Sequence, residues 1–169
     1  MDAQFRYALL LLPLLWLLGG CNQQEHGAIE VHWDRDSCER CRMVLSDRQS
    51  SAQVRYRDER QRSRVMLFDD FGCAVVWLED KPWKDALSTE FWVNASGSGE
   101  WLDAKKAYYL GGGQTSMAYG LLAFAKEQPA SMAYEAARLQ VLAIEARDNL
   151  HTPATPRTPI PSVNPVPGE

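Results

Sequence analysis

The clearest local structure in the chain lies in the stretch Val65-Met66-Leu67-Phe68-Asp69-Asp70-Phe71-Gly72-Cys73. Its first four residues are apolar and predict a short buried strand. Asp69 or Asp70 can then accept hydrogen bonds from the first turn of a helix that runs through Glu79. Such a helix places Phe71, Val75 and Leu78 on one face, and Pro82 stops it. The stretch therefore predicts a strand that leads directly into a helix.

Residues on both sides of this stretch extend the pattern. Residues 52–57 alternate between apolar and polar side chains, which is typical of a half-buried strand, and residues 58–62 form a charged turn. This predicts a β-hairpin before the helix. A further short strand is predicted at residues 91–93.

A similar order of elements returns in the second half of the chain. Strands are predicted at residues 101–102 and 107–110, and the glycines at 111–113 form a loop. A helix is predicted from Met117 or Ala118 to about Lys126, and a last helix from Met132 to Ala146. We therefore expect an α+β fold of two similar small ββα-type units packed together, at about residues 33–95 and 96–149.

The first 20 residues have the pattern of a secretory signal. An apolar run covers residues 8–18 and is too short to span a bilayer core. Leu18-Gly19-Gly20-Cys21 is similar to the lipobox of bacterial lipoproteins, in which the cysteine is acylated and becomes the new N-terminus. We expect cleavage after residue 20, a lipid on Cys21 and a tether at residues 21–32.

The C-terminal end is expected to be disordered. Six prolines lie between residues 151 and 169, where large apolar side chains are almost absent. Such a segment cannot bury enough surface to offset the entropy of ordering. Residues 150–169 are therefore predicted to form a Pro-rich tail.

The charge balance excludes some functions. The chain has 18 basic and 22 acidic side chains, and residues 1–20 hold one of each, so cleavage leaves the formal net charge at −4. This balance gives no reason to expect nucleic acid or an anionic membrane surface as a partner. Hydrolase and nucleotide-binding motifs are also absent from the sequence.

The cysteines carry the strongest chemical signal. Besides Cys21, the chain has Cys38, Cys41 and Cys73, and an odd number of thiols outside the cytoplasm leaves at least one unpaired, metal-bound or reactive. Cys38 and Cys41 are spaced to point two sulfurs at one atom, and Met43 could add a thioether. Thiolates and thioethers are soft donors that favour Cu(I) over Mg, Ca or Mn.

Two other uses of Cys38 and Cys41 remain open at this point: a thioredoxin-type redox pair and a structural disulfide. A zinc site is disfavoured because no second CxxC or HxxxH pair completes a tetrahedron. His32, six residues before Cys38, could join a metal or simply be solvated.

The other candidate residues can be explained by structural roles alone. Met117 follows the glycine loop and could reach a metal, although an isolated methionine more often fills a gap in a core. Cys73 is expected to be a buried small residue, and Asp69 and Asp70 to cap a helix.

Four motifs in order resemble the NosL family, the lipoproteins encoded alongside nitrous oxide reductase. They are Cys41-Arg42-Met43, Phe68-Asp69-Asp70-Phe71-Gly72-Cys73, Trp101-Leu102-Asp103-Ala104 and Thr115-Ser116-Met117-Ala118-Tyr119-Gly120. The resemblance covers about residues 38–125 and the lipobox. It implies a Cu(I) metallochaperone, without catalysis, that delivers copper for the copper centres of nitrous oxide reductase.

The resemblance also implies ligands, partners and a location. The expected metal ligands are Cys41, Met43 and Met117, with Cys38 as an auxiliary ligand. The expected partners are nitrous oxide reductase and a membrane ABC-type maturation complex. The expected location is the periplasmic side of a bacterial membrane, the outer more than the inner. The alternative function is a membrane-anchored thiol-disulfide oxidoreductase using Cys38 and Cys41.

Two positions depart from the family pattern. The family often shows C-G-M where this chain has Arg42, and P-M-G-Y-G where it has Ser116-Met117-Ala118-Tyr119-Gly120. Both departures fall beside expected copper ligands.

Overall fold

A computed structural model describes residues 25–148 of the chain. This part contains seven strands and two helices, in the order β1-β2-α1-β3-β4-β5-β6-β7-α2. The expected signal peptide, Cys21 with the next three residues of the tether, and the Pro-rich tail lie outside the described residues. Neither helix of the described part is long and apolar enough to cross a membrane.

The first sheet is antiparallel and has the order β2-β1-β3-β4. Its strands are β1 (Ala52–Arg57), β2 (Ser63–Phe68), β3 (Glu90–Asn94) and β4 (Trp101–Asp103). The predicted hairpin is confirmed, with Val54 opposite Met66 on one side and Phe91 on the other. The sheet includes β4 and thus extends beyond residue 95, where the sequence placed the boundary between units.

Helix α1 (Phe71–Glu79) follows β2 after two aspartates, as the sequence predicts. Asp70 is the N-cap: its backbone is extended, and its carboxylate accepts a hydrogen bond of 2.7 Å from the Gly72 N–H. Phe71, Val75 and Leu78 are buried on the face that covers the first sheet. An acidic N-cap is favourable because it satisfies a helix N–H that would otherwise lack a partner.

The second unit contains a three-stranded antiparallel sheet and a helix. The sheet has the order β6-β5-β7, formed by β5 (Tyr108–Leu110), β6 (Leu122–Phe124) and β7 (Met132–Ala133). Helix α2 (Tyr134–Asp148) follows β7 directly.

The helix predicted from Met117 or Ala118 to about Lys126 is wrong. Residues 116–118 form a turn, with φ of 59° at Ala118 and 70° at Gly120, and a strand follows. Positive φ values are incompatible with a right-handed helix. Beyond the turn, burial alternates along Leu122–Phe124, which is the period of a strand.

The two units share one core, centred on Phe71. The Phe71 ring contacts Phe91 of β3, Tyr109 of β5 and Tyr134 of α2, with ring centroids 5.6, 4.5 and 6.4 Å away. The two sheets also meet through a backbone hydrogen bond of 2.7 Å from Ser96 to Ala123. The expected α+β fold of two small units is confirmed, and the second unit has three strands before its helix.

Gly72 marks the closest approach between the units. A Cβ atom at this position would lie 2.1 Å from Cγ of Tyr119, and Tyr119 is itself almost fully buried. Only glycine leaves room for this ring against the first turn of α1.

Replacing Gly72 with alanine should therefore destabilise the fold. The added methyl group overlaps a ring that packing holds in place, so we expect Gly72→Ala to lower the free energy of unfolding by about 3 kcal/mol. Urea denaturation measures the change. Gly111→Ala is the matched control, because its Cβ would meet only the end of Gln140 at 3.4 Å, and its stability should change little. Equal stability of both variants would contradict the proposed close contact.

Candidate metal centre

The loop that carries Cys38 and Cys41 is held as a tight turn. Ser37 and Val44 form an antiparallel bridge at its base, and the Cys38 N–H donates to the Met43 carbonyl at 2.8 Å. Glu39 N–H donates to the carbonyl of Leu67 at 2.8 Å, which fixes the turn beside the end of β2. Closing the turn requires a φ of 66° at Arg42.

The junction between β2 and α1 supplies two more functional side chains. Asp69 precedes the N-cap, and Cys73 lies in the first turn of α1, four residues further on. Both side chains are buried. Their placement follows from the strand-to-helix geometry that the sequence predicts.

The turn and the junction bring three thiols and one carboxylate together. The Sγ atoms of Cys38, Cys41 and Cys73 and a carboxylate oxygen of Asp69 all lie within 4.8 Å of one another. We call these four residues the thiol cluster. Cys38 and Cys73 are fully buried, whereas Cys41 is partly exposed.

Hydrogen bonds make Cys38 the most acidic thiol of the cluster. The Cys73 thiol donates to its sulfur, and the backbone N–H groups of Cys41 and Asp69 also point at it, which together lower the pKa of Cys38 despite its burial. The same contact with Cys38, together with burial, raises the pKa of Cys73. Burial also raises the pKa of Cys41. The cluster thus sets one thiol of lowered pKa beside two thiols of raised pKa, and any metal ion bound there would displace their protons.

Asp69 adds a buried carboxylate whose two oxygen atoms are not both hydrogen-bonded within the described residues. Its Oδ1 accepts a hydrogen bond from the Cys41 thiol at 3.2 Å. Its Oδ2 is buried and has no hydrogen-bond partner among the described residues. Burial raises the pKa of Asp69 to about 6. Such an oxygen is costly to bury without a partner, and a cation bound beside it would offset that cost.

These donors fit a soft metal ion. Thiolates favour Cu(I) and Zn²⁺, whereas Mg²⁺ and Ca²⁺ prefer sites built from oxygen ligands. The partial exposure of Cys41 leaves one side of the cluster accessible.

A polar network braces the turn from the second unit. Arg40, which lies between Cys38 and Cys41, donates to Tyr119 Oη at 3.0 Å and to Glu145 Oε1 at 2.6 Å. Tyr119 in turn donates to the other oxygen of Glu145 at 2.5 Å. The network is partly buried, so its charged hydrogen bonds are stronger than exposed ones.

The sequence-predicted ligands fall in different places. Cys38 and Cys41 both belong to the thiol cluster. Met43 is 49% exposed, two residues beyond Cys41. Met117 packs against the edge of the core, and its N–H donates to Asp70 Oδ2 at 3.0 Å. His32 is outside the cluster and lies beside Asp36.

Sequence reasoning missed Cys73 and Asp69 as members of the site. Cys73 is buried as expected, but its sulfur faces the other thiols rather than only the core. Asp70 alone is the helix cap, which leaves Asp69 to point at Cys41. The sequence showed only that both residues flank the strand-to-helix junction, and because Asp69 lies before the extended N-cap Asp70, helical spacing does not reveal that Asp69 and Cys73 face the same site.

Comparison with known families agrees with this site. The family model of NosL matches residues 30–145, which includes the whole thiol cluster and Met117. The chain belongs to the NosL family. Its membership and the thiol cluster are consistent with a copper-binding role. No match was found among curated proteins.

The two departures from the family pattern have a conformational cost. Arg42 and Ala118 occupy the positions where the family often has glycine, and both adopt positive φ, at 66° and 59°. A residue with a Cβ atom is strained by about 1 kcal/mol in this region. The two turns beside the site are therefore less stable than their glycine equivalents.

Glycine at position 42 should stabilise the protein. We expect Arg42→Gly to raise the free energy of unfolding by up to about 1 kcal/mol, because relief of strain exceeds the entropy that glycine adds to the unfolded chain. Its exposed ion pair with Glu39 contributes little. Arg35→Gly, at an exposed site of ordinary φ in the preceding loop, is the control and should lower stability. Thermal denaturation of both variants tests this, and destabilisation by Arg42→Gly would refute it.

Proposed function

We propose that this protein is a Cu(I) carrier whose site is built on Cys41. Cys38 and Cys73 are further sulfur donors, and Met43 and Met117 are the thioether donors that the sequence indicates. The observation that carries the proposal is the thiol cluster: two separate segments bring three sulfurs and a buried carboxylate within 4.8 Å.

The choice of Cu(I) follows from the softness of these donors. Cu(I) accepts two or three sulfur ligands, including thioethers, whereas Zn²⁺ prefers four ligands in a closed tetrahedron. Met43 is half exposed and lies two residues beyond Cys41, and its thioether would suit Cu(I) better than Zn²⁺. Asp69 offers charge compensation beside the sulfurs.

A carrier, and not an enzyme, is the function that this site supports best. Copper that is to be released must be reached by the sulfur of a partner, and Cys41 is the accessible thiol of the cluster. Cys38 and Cys73 are buried behind it and hold the ion while one ligand is exchanged.

The proposed recipient is the machinery that assembles nitrous oxide reductase, including a membrane ABC-type complex. Membership of the NosL family supports this destination. A lipid on Cys21 would keep the carrier at the periplasmic face of a membrane, where such an exchange takes place.

The alternative function, thiol-disulfide exchange by Cys38 and Cys41, has less support. A thioredoxin-type nucleophile lies at the start of a helix and is exposed. Here the two cysteines lie in a turn between bridged residues, and Cys38 has no exposed surface.

Anaerobic titration of the purified chain with Cu(I), against a competing chelator, tests the site. We expect about one tightly bound Cu(I) per chain and a loss of affinity beyond about 100-fold for Cys41→Ser, since even residues that only support a ligand cost 10–100-fold. Met117→Leu should also weaken binding. Met132→Leu is its matched control, because Met132 lies in β7. Unchanged affinity of Cys41→Ser for Cu(I) would contradict the proposal.

Delivery requires a separate test in the host cell. Removal of this protein should leave nitrous oxide reductase present but poor in copper, as measured by metal analysis of the purified enzyme. The wild-type chain should restore copper, and Cys41→Ser should not. Full copper content without the chain would exclude the proposed recipient while leaving copper binding intact.

A further inference from the structure

The N-terminal segment is fixed along β1 in a regular register. Glu25 forms an ion pair of 2.7 Å with Arg57, and the Gly27 carbonyl accepts hydrogen bonds of 2.8 and 3.1 Å from Arg55. The backbone of Ile29 exchanges two hydrogen bonds of 2.9 Å with the side chain of Gln53. Positions 25, 27 and 29 thus match positions 57, 55 and 53, so the segment runs from the tip of the hairpin towards its other end.

This register fixes where the chain leaves the described structure. Glu25 lies beside Arg57, at the tip of the β1–β2 hairpin. Cys21 is four residues upstream, and four residues span at most about 14 Å when fully extended. A lipid on Cys21 would therefore bring this tip close to a membrane.

The same tip carries a basic and aromatic surface. We call it the hairpin-tip surface, and it is lined by Tyr56, Arg57, Asp58, Glu59, Arg60, Gln61, Arg62, Trp77, Lys81, Pro82 and Trp83. Four of these side chains are basic and two are acidic, and Glu25 and Arg64, which pair with Arg57 and Asp58, add one charge of each sign. The surface therefore has an excess of positive charge although the whole chain has a net charge of −4. The net charge of the whole chain gives no indication of this local excess of positive charge.

The aromatic side chains of the hairpin-tip surface pack closely together. Tyr56 and Trp83 stack with ring centroids 4.2 Å apart, and Lys81 Nζ lies 4.5 Å above the ring of Trp77. Tryptophan and tyrosine are enriched at membrane interfaces, and arginine and lysine beside them are attracted to anionic headgroups.

We propose that the hairpin-tip surface rests on anionic phospholipid headgroups and orients the carrier on its membrane. The proposal rests on acylation of Cys21. The position of Glu25, where the described chain begins, and the positive charge of the hairpin-tip surface both favour contact between this end of the fold and a lipid surface.

This orientation holds the thiol cluster away from the membrane. Strand β2 runs from Ser63 near the tip to Phe68, next to Asp69 of the cluster. Five steps of about 3.3 Å separate these ends by roughly 17 Å. The open side of Cys41 thus lies at the far end of the hairpin from the headgroups.

Quenching of tryptophan fluorescence by brominated phospholipids tests the orientation. The full lipidated chain, with acylation verified by mass spectrometry, is reconstituted into vesicles of phosphatidylcholine with or without phosphatidylglycerol. Wild-type quenching should be stronger on the anionic vesicles, and Trp83→Phe should remove much of it. Arg60→Glu with Arg62→Glu should reduce it to the neutral-vesicle level, because each basic residue near such a surface changes binding about fivefold.

The matched control reverses two charges at the other end of the hairpin. Arg35→Glu with Arg42→Glu changes the net charge equally, near the thiol cluster, and should leave quenching unchanged. Equal loss of quenching in both double variants, or no dependence on phosphatidylglycerol, would overturn the proposal. An unacylated chain would overturn it as well. The Cu(I) titration of each variant is measured in parallel, so a failed orientation is distinguished from a failed metal site.

Discussion

The buried carboxylate of Asp70 is the constraint on which the site depends. One of its oxygens accepts from the Gly72 N–H at the start of α1, and the other accepts from the Met117 N–H of the second unit. Burial raises the pKa of Asp70, and these hydrogen bonds oppose that shift by stabilising its charged form. Because Asp70 is extended, with φ −143° and ψ 138°, its neighbour Asp69 points the opposite way, towards the thiols. The Asp70 side chain therefore joins the two units, and the extended backbone of Asp70 sets the direction of the Asp69 side chain.

The first half of the fold could be predicted because its local signals agree with its packing. Residues 52–79 combine a strand, a charged turn, an apolar strand, an acidic cap and a helix, and each of these elements was confirmed. The half-buried alternation expected in β1 was wrong, because the polar Gln53 and Arg55 are buried as well. The turn and strand after Thr115 could not be predicted, because their decisive feature is the backbone of Ala118. Alanine strongly favours helix in isolation, and nothing in its sequence context shows a φ of 59°. Tertiary contacts determine that turn.

Two of the four residues of the thiol cluster could be predicted from the sequence, for a related reason. Cys38 and Cys41 are close in sequence, so their spacing alone indicates a shared ligand or partner. Cys73 joins them only through the position of α1 against the loop, which depends on the core around Phe71 and on the space that Gly72 leaves for Tyr119. Tyr119 also belongs to the network with Arg40 and Glu145, so the ring that fits against Gly72 also braces the metal-binding turn. Contacts of this kind have no signature in a local motif.

The unequal exposure of the three thiols has a kinetic consequence. A partner's sulfur would have to bond to the bound ion from the side that solvent reaches, and Cys41 is the cluster thiol on that side, since Cys38 and Cys73 are fully buried. In the proposed carrier, arrival and departure of an ion would follow the same path in opposite directions, so the bond to Cys41 would be made first and broken last. Transfer would then depend on exchanging one sulfur bond at a time rather than on the total strength of the cluster. A deep, tight site can in this way remain a fast donor.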